Sequence, residues 1–403
     1  MKHLEQLSLA ESKVLVRVDF NVPLKEGKVA DDTRIQAALP TLQYILDQGA
    51  SIILLSHLGR PQKDKNEDGS LKRDQFSLKA VADYLGTLVD ASVHFCPENT
   101  GAIAREAVAQ LEQGQILILE NTRFQEGEKK GDEALAEEWA SYADFYVNDA
   151  FGAAHRAHAS TCTVANFFDG QHKAAGYLLH KEVSEGQKVL FDAQRPLLAI
   201  VGGAKVSDKI LLLEQMVEKA DMIIIGGGMA YTFIKAKGGA IGNSLVEEDK
   251  LDLALKILQK AIAEHTEIYL PVDSVVADEF AATAKTQNTA SDQIPDGWMG
   301  LDIGPKAVQD FSKAIAKAKT IIWNGPMGVF EFDAFNKGTF AMAKAIAEAT
   351  QNGAYSLVGG GDSANAVNQS GLAASISHIS TGGGAMLELL EGKTLPGIKA
   401  LED

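Results

Sequence analysis

The stretch Tyr355-Ser-Leu-Val-Gly-Gly-Gly-Asp-Ser-Ala-Asn-Ala-Val367 decides the fold class. Tyr355–Val358 is a short apolar run that reads as a buried strand, Gly359–Gly361 remove every Cβ where the chain turns, and Asp362 or Ser363 is placed to cap the following helix. The free N–H groups of such a helix start attract phosphate, and Asp362 offers a hard oxygen to a divalent cation riding on that phosphate. Alone, the same residues also describe a tight turn with an ordinary cap. Repetition favours the ligand site. Val201-Gly-Gly-Ala-Lys205, Ile225-Gly-Gly-Gly228, Trp323-Asn-Gly-Pro326 and Thr381-Gly-Gly-Gly384 also follow apolar runs, so the back half has five glycine turns at expected strand ends. In an open α/β sheet the carboxyl ends of the strands are where ligands bind.

The alternation extends outward from there. Leu197–Val201, a helix from Val206, Met222–Ile225, a helix from Met229, a long helix over Glu248–Glu264, Glu267–Leu270, Lys306–Ala318, Thr320–Trp323 and Asn336–Ala349 follow one another. Pro271–Gly300 is irregular, with Asp273–Ala277 a candidate extra antiparallel pair. In the front third, strand-like Val14–Asp19, Ser51–Ser56, Ser92–Phe95, Gln115–Leu119 and Asp144–Asn148 alternate with helix-like Ile35–Leu46, Leu78–Leu88, Gly101–Leu111 and Glu133–Tyr142. In Ile35–Leu46 the apolar positions Ile35, Leu39, Leu42 and Leu46 recur at helical spacing. This beat means right-handed crossovers and mostly parallel sheets covered on both faces. Asn166–Gly176 breaks it, and Tyr177–Ala193 has the composition of a single helix ending before Pro196.

At 403 residues the chain exceeds what one core usually supports. The expected architecture is α/β, two Rossmann-like domains, each a mostly parallel sheet flanked by helices. They span 1–172 and 194–386, joined by a connector helix within 173–193.

Apolar content of 46% and charged content of 23% are ordinary for a soluble globular protein. A net charge of −16 argues against a nucleic-acid binder, whose affinity rests on Lys and Arg neutralising phosphates. The two cysteines, Cys96 and Cys162, form no CxxC motif, which fits a reducing compartment and disfavours thiolate metal sites. The first residues lack the apolar core of a signal peptide, and no run approaches the roughly 20 apolar residues of a membrane span, so the cytoplasm is the expected location.

Front-half strand ends finish in cations and polar groups rather than glycines. They are Arg17-Val-Asp-Phe-Asn21, with Asp32-Thr-Arg34 at the next helix start; Ser56-His-Leu-Gly-Arg60; Glu120-Asn-Thr-Arg123; and Asn148-Asp-Ala-Phe-Gly152, leading to His155-Arg-Ala-His158. In a parallel sheet these ends share one edge, so Arg34, His57, Arg60, Arg123 and Arg156 should converge. Singly, each cation reads equally as a solvated surface residue; together, in an acidic protein, they suit a small, strongly anionic ligand. Asp19 and Asn21 read as part of this set, while His155 and His158 are set aside as helix or loop histidines.

In the back half, Lys205 and Lys209 are four apart, on one face of the helix expected after the glycines, a placement that suits either two ammonium groups turned toward phosphates or two solvated lysines on an exposed face. Neither a Walker A loop nor a GxGxxG fingerprint occurs. Met299-Gly-Leu301 and Val329-Phe-Glu331 offer small and apolar surface for a base, with Glu331 a candidate for ribose hydroxyls; without the glycine loops both segments would read as ordinary core and turn.

Together, Arg-Val-Asp-Phe-Asn-Val-Pro (17–23), Ser-His-Leu-Gly-Arg-Pro (56–61), Asn-Asp-Ala-Phe-Gly-Ala-Ala-His-Arg-Ala-His (148–158), Gly-Gly-Ala-Lys-Val-Ser-Asp-Lys (202–209), Trp-Asn-Gly-Pro-Met-Gly-Val-Phe-Glu (323–331), Gly-Gly-Gly-Asp-Ser (359–363) and Ser-Thr-Gly-Gly-Gly-Ala (380–385) resemble phosphoglycerate kinase, in the family's order and over the whole chain. The resemblance implies a phosphotransferase with a carboxyl group as acceptor. It implies Mg2+-dependent, reversible transfer between 1,3-bisphosphoglycerate and ADP, giving 3-phosphoglycerate and ATP in glycolysis. By motif, Asp19, Asn21, Arg34, His57, Arg60, Arg123 and Arg156 would hold the glycerate and its distal phosphate. Gly203, Lys205, Lys209, Gly227, Gly228, Gly300, Leu301, Asn324, Glu331, Gly360, Gly361, Asp362 and Ser363 would hold the nucleotide, with Asp362 on magnesium. Arg34, Lys205, Gly360 and Gly361 would face the migrating group. The resemblance also implies a monomer and a C-terminal stretch, about 387–403, packing back on the first domain; with glycerate and nucleotide on different domains, reacting atoms that must come within about 3–3.5 Å call for a hinge that closes, carried by Tyr177–Ala193 and that crossover. Ser363 stands where many members have Thr, and Ile303 departs mildly from the usual pattern; both keep the chemical type.

Two other readings compete. A nicotinamide-dependent dehydrogenase fits doubly wound sheets with glycine turns, and comparing ADP with NAD binding separates it. A nucleotide-sensing module fits the back half alone, and a coupled turnover assay separates that.

Overall fold

A computed structural model describes residues 1–402, which fall into two compact units: Met1–Ser184 together with the stretch from Thr394, and Glu185–Lys393. The helix Tyr177–Phe191 contributes to both, the division falling between Ser184 and Glu185.

In the first unit six strands pair in the order Val93–Cys96, Ile116–Leu119, Ser51–Leu55, Lys13–Arg17, Phe145–Asn148, Lys173–Ala175, all parallel. Ser51–Leu55 is buried at every position, as a strand covered on both faces must be. The helix Thr33–Asp47 buries Ile35, Ala38, Leu42 and Ile45, so the covered stripe runs one position before the expected Leu39 and Leu46, which remain half-buried. Val14, Val16, Ile52, Leu54, Ile116 and Ile118 form the centre of one core.

The second unit also has a six-stranded parallel sheet, ordered Glu267–Tyr269, Met222–Ile225, Leu197–Val201, Thr320–Asn324, Tyr355–Gly359, His378–Ile379. Numbered along the chain this is 3-2-1-4-5-6, the doubly wound order whose switch point lies between the first and fourth strands. Gly202 and Gly325 sit at that point. A Cβ on Gly202 would lie 2.1 Å from the Pro326 carbonyl oxygen, and one on Gly325, whose φ is +99°, 2.2 Å from the Gly202 oxygen. Only glycine lets these two turns interlock.

The irregular region holds an antiparallel sheet of three strands, Thr286–Ala290, Asp273–Ala277 and Met299–Ile303, rather than a pair. Gly383–Leu390 forms one helix against Ile210–Lys219 and Tyr355–Gly359, so the return to the first unit starts at Thr394, beyond the expected Leu387. Among the described residues no helix is long and apolar enough to cross a membrane.

Candidate active site

In the first unit a cavity of ≈ 200 Å³ opens at the carboxyl edge of the sheet, lined by Asp19, Asn21, Arg34, His57, Arg60, Arg123 and Arg156 among others. Four strand ends and one helix start therefore bring together every glycerate-site residue named from the sequence. Arg34 Nη1 donates to Asp19 Oδ2 at 3.1 Å and to the Asn21 carbonyl at 3.2 Å. Asn21 Oδ1 accepts the Gly59 N–H at 2.8 Å, tying the first strand end to the second. Arg123 Nη1 donates to the Gly59 carbonyl at 2.6 Å, while its buried Nε has no partner among the described residues. His155, set aside in the sequence reading, also lines this cavity, and its Nε2 accepts from Arg156 Nε at 3.0 Å.

The electrostatics describe a self-repelling cluster. Burial, then Arg17 and Arg156, push Arg123 down to about 10. Burial, then Arg17, Arg123 and Arg34, hold His57 well below the usual histidine range, and burial with Arg17 and Arg123 brings His158 down to about 3. Guanidinium groups pressed together beside two carboxylates, Glu128 and Asp19, are relieved by a bound polyanion.

In the second unit a cavity of ≈ 760 Å³ lies over the switch point. Gly203, Gly227, Gly228, Gly300, Leu301, Glu331 and Asp362 line it. The other residues named for the nucleotide, Lys205, Lys209, Asn324, Gly360, Gly361 and Ser363, are outside the lining. Lys209 Nζ donates to Asn324 Oδ1, and the buried Nδ2 of Asn324 has no partner among the described residues. Ser363 Oγ accepts the Gly325 N–H at 2.7 Å. Unforeseen walls come from Tyr231, Asn243, Leu245, Phe280 and Phe332. Phe280, in the irregular stretch, is 62% exposed, a large apolar side chain whose composition gave no sign of a site.

Two local expectations fail. Neither Asp362 nor Ser363 caps the helix Gly361–Gln369: Gly360 is the N-cap, at φ +92°, and both side chains lie in the first turn. Lys205 and Lys209 share no helical face, because the helix starts at Ile210. Glu247 accepts the Ser207 N–H at 3.0 Å and its hydroxyl at 2.6 Å, holding the residues after Val206 in a turn.

The donor set suits a nucleotide-borne divalent cation. Among the described residues no cluster of three or more His, Cys, Asp or Glu could cage a metal, and Asp362 stands exposed on the cavity wall in the first helical turn. Magnesium is commonly held by one or two carboxylates plus substrate phosphates.

The phosphoglycerate kinase family model matches residues 4–393. Phosphoglycerate kinase of Herpetosiphon aurantiacus is 53% identical over 392 residues, covering 97% of this chain and 96% of that protein. That of Synechococcus elongatus is 52% identical over 396 residues, covering 98% and 96%. Among solved structures, phosphoglycerate kinase from Coxiella burnetii aligns with a TM-score of 0.86 at 43% identity, covering 99% of this chain and 98% of its own. The enzyme from Pyrococcus horikoshii OT3 aligns at 0.83 and 31%, covering 100% and 98%. By its motifs, its fold and these matches, the chain belongs to the phosphoglycerate kinase family.

Proposed function

We propose that the protein moves a phosphoryl group reversibly between 1,3-bisphosphoglycerate and ADP, giving 3-phosphoglycerate and ATP as a step of glycolysis. The observation that carries this reading is the concentration of Arg34, Arg60, Arg123, Arg156 and His57 around one small cavity in a protein of net charge −16. With Asp19 and Asn21 they bind the glycerate and its distal phosphate. The residues named for the nucleotide bind ADP or ATP in the second unit, and Asp362 holds the magnesium.

In the ATP-forming direction an oxygen of the ADP β-phosphate attacks the acyl phosphorus. A new P–O bond forms, the bond to the carboxyl oxygen breaks, and the electron pair leaves on the carboxylate. In reverse the attacking carboxylate is already ionised at pH 7, so no proton is moved and no general base is required. Catalysis is then alignment and charge stabilisation. Arg34, Lys205 and the N–H groups of Gly360 and Gly361 face the migrating group. Magnesium supplies charge neutralisation on the phosphate oxygens. Reacting atoms must come within about 3–3.5 Å, and the two binding sets belong to different units. We therefore include a closing motion, with Tyr177–Phe191 and the C-terminal crossover carrying the bend; solution scattering should show compaction when both substrates bind, and none would remove this element.

A coupled assay of ATP and 3-phosphoglycerate tests the whole reading. Turnover is expected with magnesium and should vanish on chelation. No turnover with both substrates and metal present would overturn the assignment.

A further inference from the structure

Arg17, the last residue of the strand Lys13–Arg17, is fully buried. Its Nε donates to Ser160 Oγ at 2.7 Å, its Nη1 to the Val18 carbonyl, and its Nη2 lies 3.1 Å from His57 Nδ1. A guanidinium has donors and no acceptor, so at that distance Nδ1 must offer its lone pair. The rival partner, Asp19 Oδ1, is 3.7 Å from Nδ1, beyond hydrogen-bond reach. We propose that Arg17 is a positioning residue that fixes His57 as the tautomer protonated on Nε2, so that the imidazole offers the anion cavity a hydrogen-bond donor.

His57 lines that cavity, and among the described residues no group bonds its Nε2. Carboxylate and phosphate oxygens only accept, so the opposite tautomer would turn a lone pair toward them. The charged and titratable groups around the ring are Arg17 and Asp19 at the first strand end, Arg34 on the neighbouring helix, Arg123 at a third strand end, and His158. Burial first, and then four of the five, disfavour the imidazolium, so the ring stays neutral and its tautomer matters. The counter-charge to Arg17 lies one hydroxyl away. Ser160 Oγ donates to Glu128 Oε1 at 2.6 Å, and the fully buried Glu128 also accepts the Ser160 N–H at 3.0 Å and the Thr122 hydroxyl at 3.2 Å. Glu128, Ser160, Arg17 and His57 thus form one chain of hydrogen bonds ending at the cavity wall.

The benefit to 3-phosphoglycerate rests on the function proposed above; the tautomer does not. Long-range proton–nitrogen correlation spectra of the unliganded wild-type protein, labelled at histidine, decide it. His57 should show an unprotonated Nδ1 and a protonated Nε2 that stay so as the pH is lowered through the usual histidine range. A protonated Nδ1 would overturn the proposal, whatever the variants do. In Arg17→Met the two nitrogens should move toward averaged values, and KM for 3-phosphoglycerate should rise about tenfold, the worth of one hydrogen bond, with kcat changing less. A folded Arg17→Met protein with an unchanged His57 spectrum also overturns it. Titrating the wild type with 3-phosphoglycerate tests the underlying function separately: a protonated Nε2 that fails to move counts against the substrate, not the tautomer.

Discussion

Arg34 shows how much of the site one residue reveals. It opens the helix Thr33–Asp47, pairs with Asp19 at 3.1 Å, and keeps about a third of its side chain, 32%, exposed. Its loss leaves no cavity in a core, so Arg34→Ala should fold normally by circular dichroism. Turnover should fall about 10³–10⁵-fold, as when other phosphoryl-transfer arginines are removed; full turnover would remove Arg34 from the proposed mechanism. The cations at the ends of apolar runs were legible in the sequence because in a parallel sheet an apolar run fixes where its last side chains emerge. Arg17 was not, since its role comes from Ser160 and His57, residues on other turns whose approach no local pattern encodes. His155 was legible as a candidate and set aside, because a loop histidine beside an arginine carries no signal of which way it faces.

At the scale of elements, strands, glycine turns and the helix starts at Gly101, Glu133, Tyr177 and Met229 were legible, whereas the start expected at Val206 was not. Gly227 and Gly361 separate two reasons for a glycine. Gly227 has φ +68°, and a Cβ there would sit 2.5 Å from the Gly203 carbonyl oxygen and 2.7 Å from its nitrogen. Gly227→Ala should therefore lose on the order of 1–3 kcal/mol from overpacking, with more from the left-handed backbone. Gly361 has no left-handed φ and open space where a Cβ would point. Gly361→Ala should keep the wild-type melting temperature, since alanine favours a helix start over glycine, yet bind ADP more weakly by calorimetry because the methyl enters the proposed phosphate cradle. Unchanged ADP affinity would place the phosphates elsewhere. The late start of the helix at Ile210 follows from Glu247, forty residues on from Ser207. Such a grip lies outside any window in which helical periodicity is read.

For the whole molecule, alternation predicted two parallel sheets, while strand order and buried carboxyls emerged only with the fold. Each unit encloses one such carboxyl raised by burial to about 7, Asp149 in the first and Asp302 in the second. Asp149 Oδ1 accepts the Leu179 N–H at 3.1 Å near the start of Tyr177–Phe191, and its buried Oδ2 has no partner among the described residues. Asp302 Oδ2 accepts the Gly338 N–H at 2.7 Å, and its Oδ1 the Ile303 N–H at 2.9 Å. In the folded state both acids keep their protons to about pH 7, whereas unfolded aspartates release them near 4. Between those values the unfolded chain binds fewer protons, so stability falls as pH rises, the reverse of a salt-bridged aspartate. Their contribution is complete below about pH 4 and lost through pH 7. Urea unfolding between pH 4.5 and 8 should therefore show a smaller decline in Asp149→Asn and in Asp302→Asn than in the wild type. Because the two sites lie in separate units, the effects should add in the double variant. If both single variants reproduce the wild-type pH profile, these carboxyls are ionised in the folded protein, and hydration within the fold must replace burial as the account of how they are held.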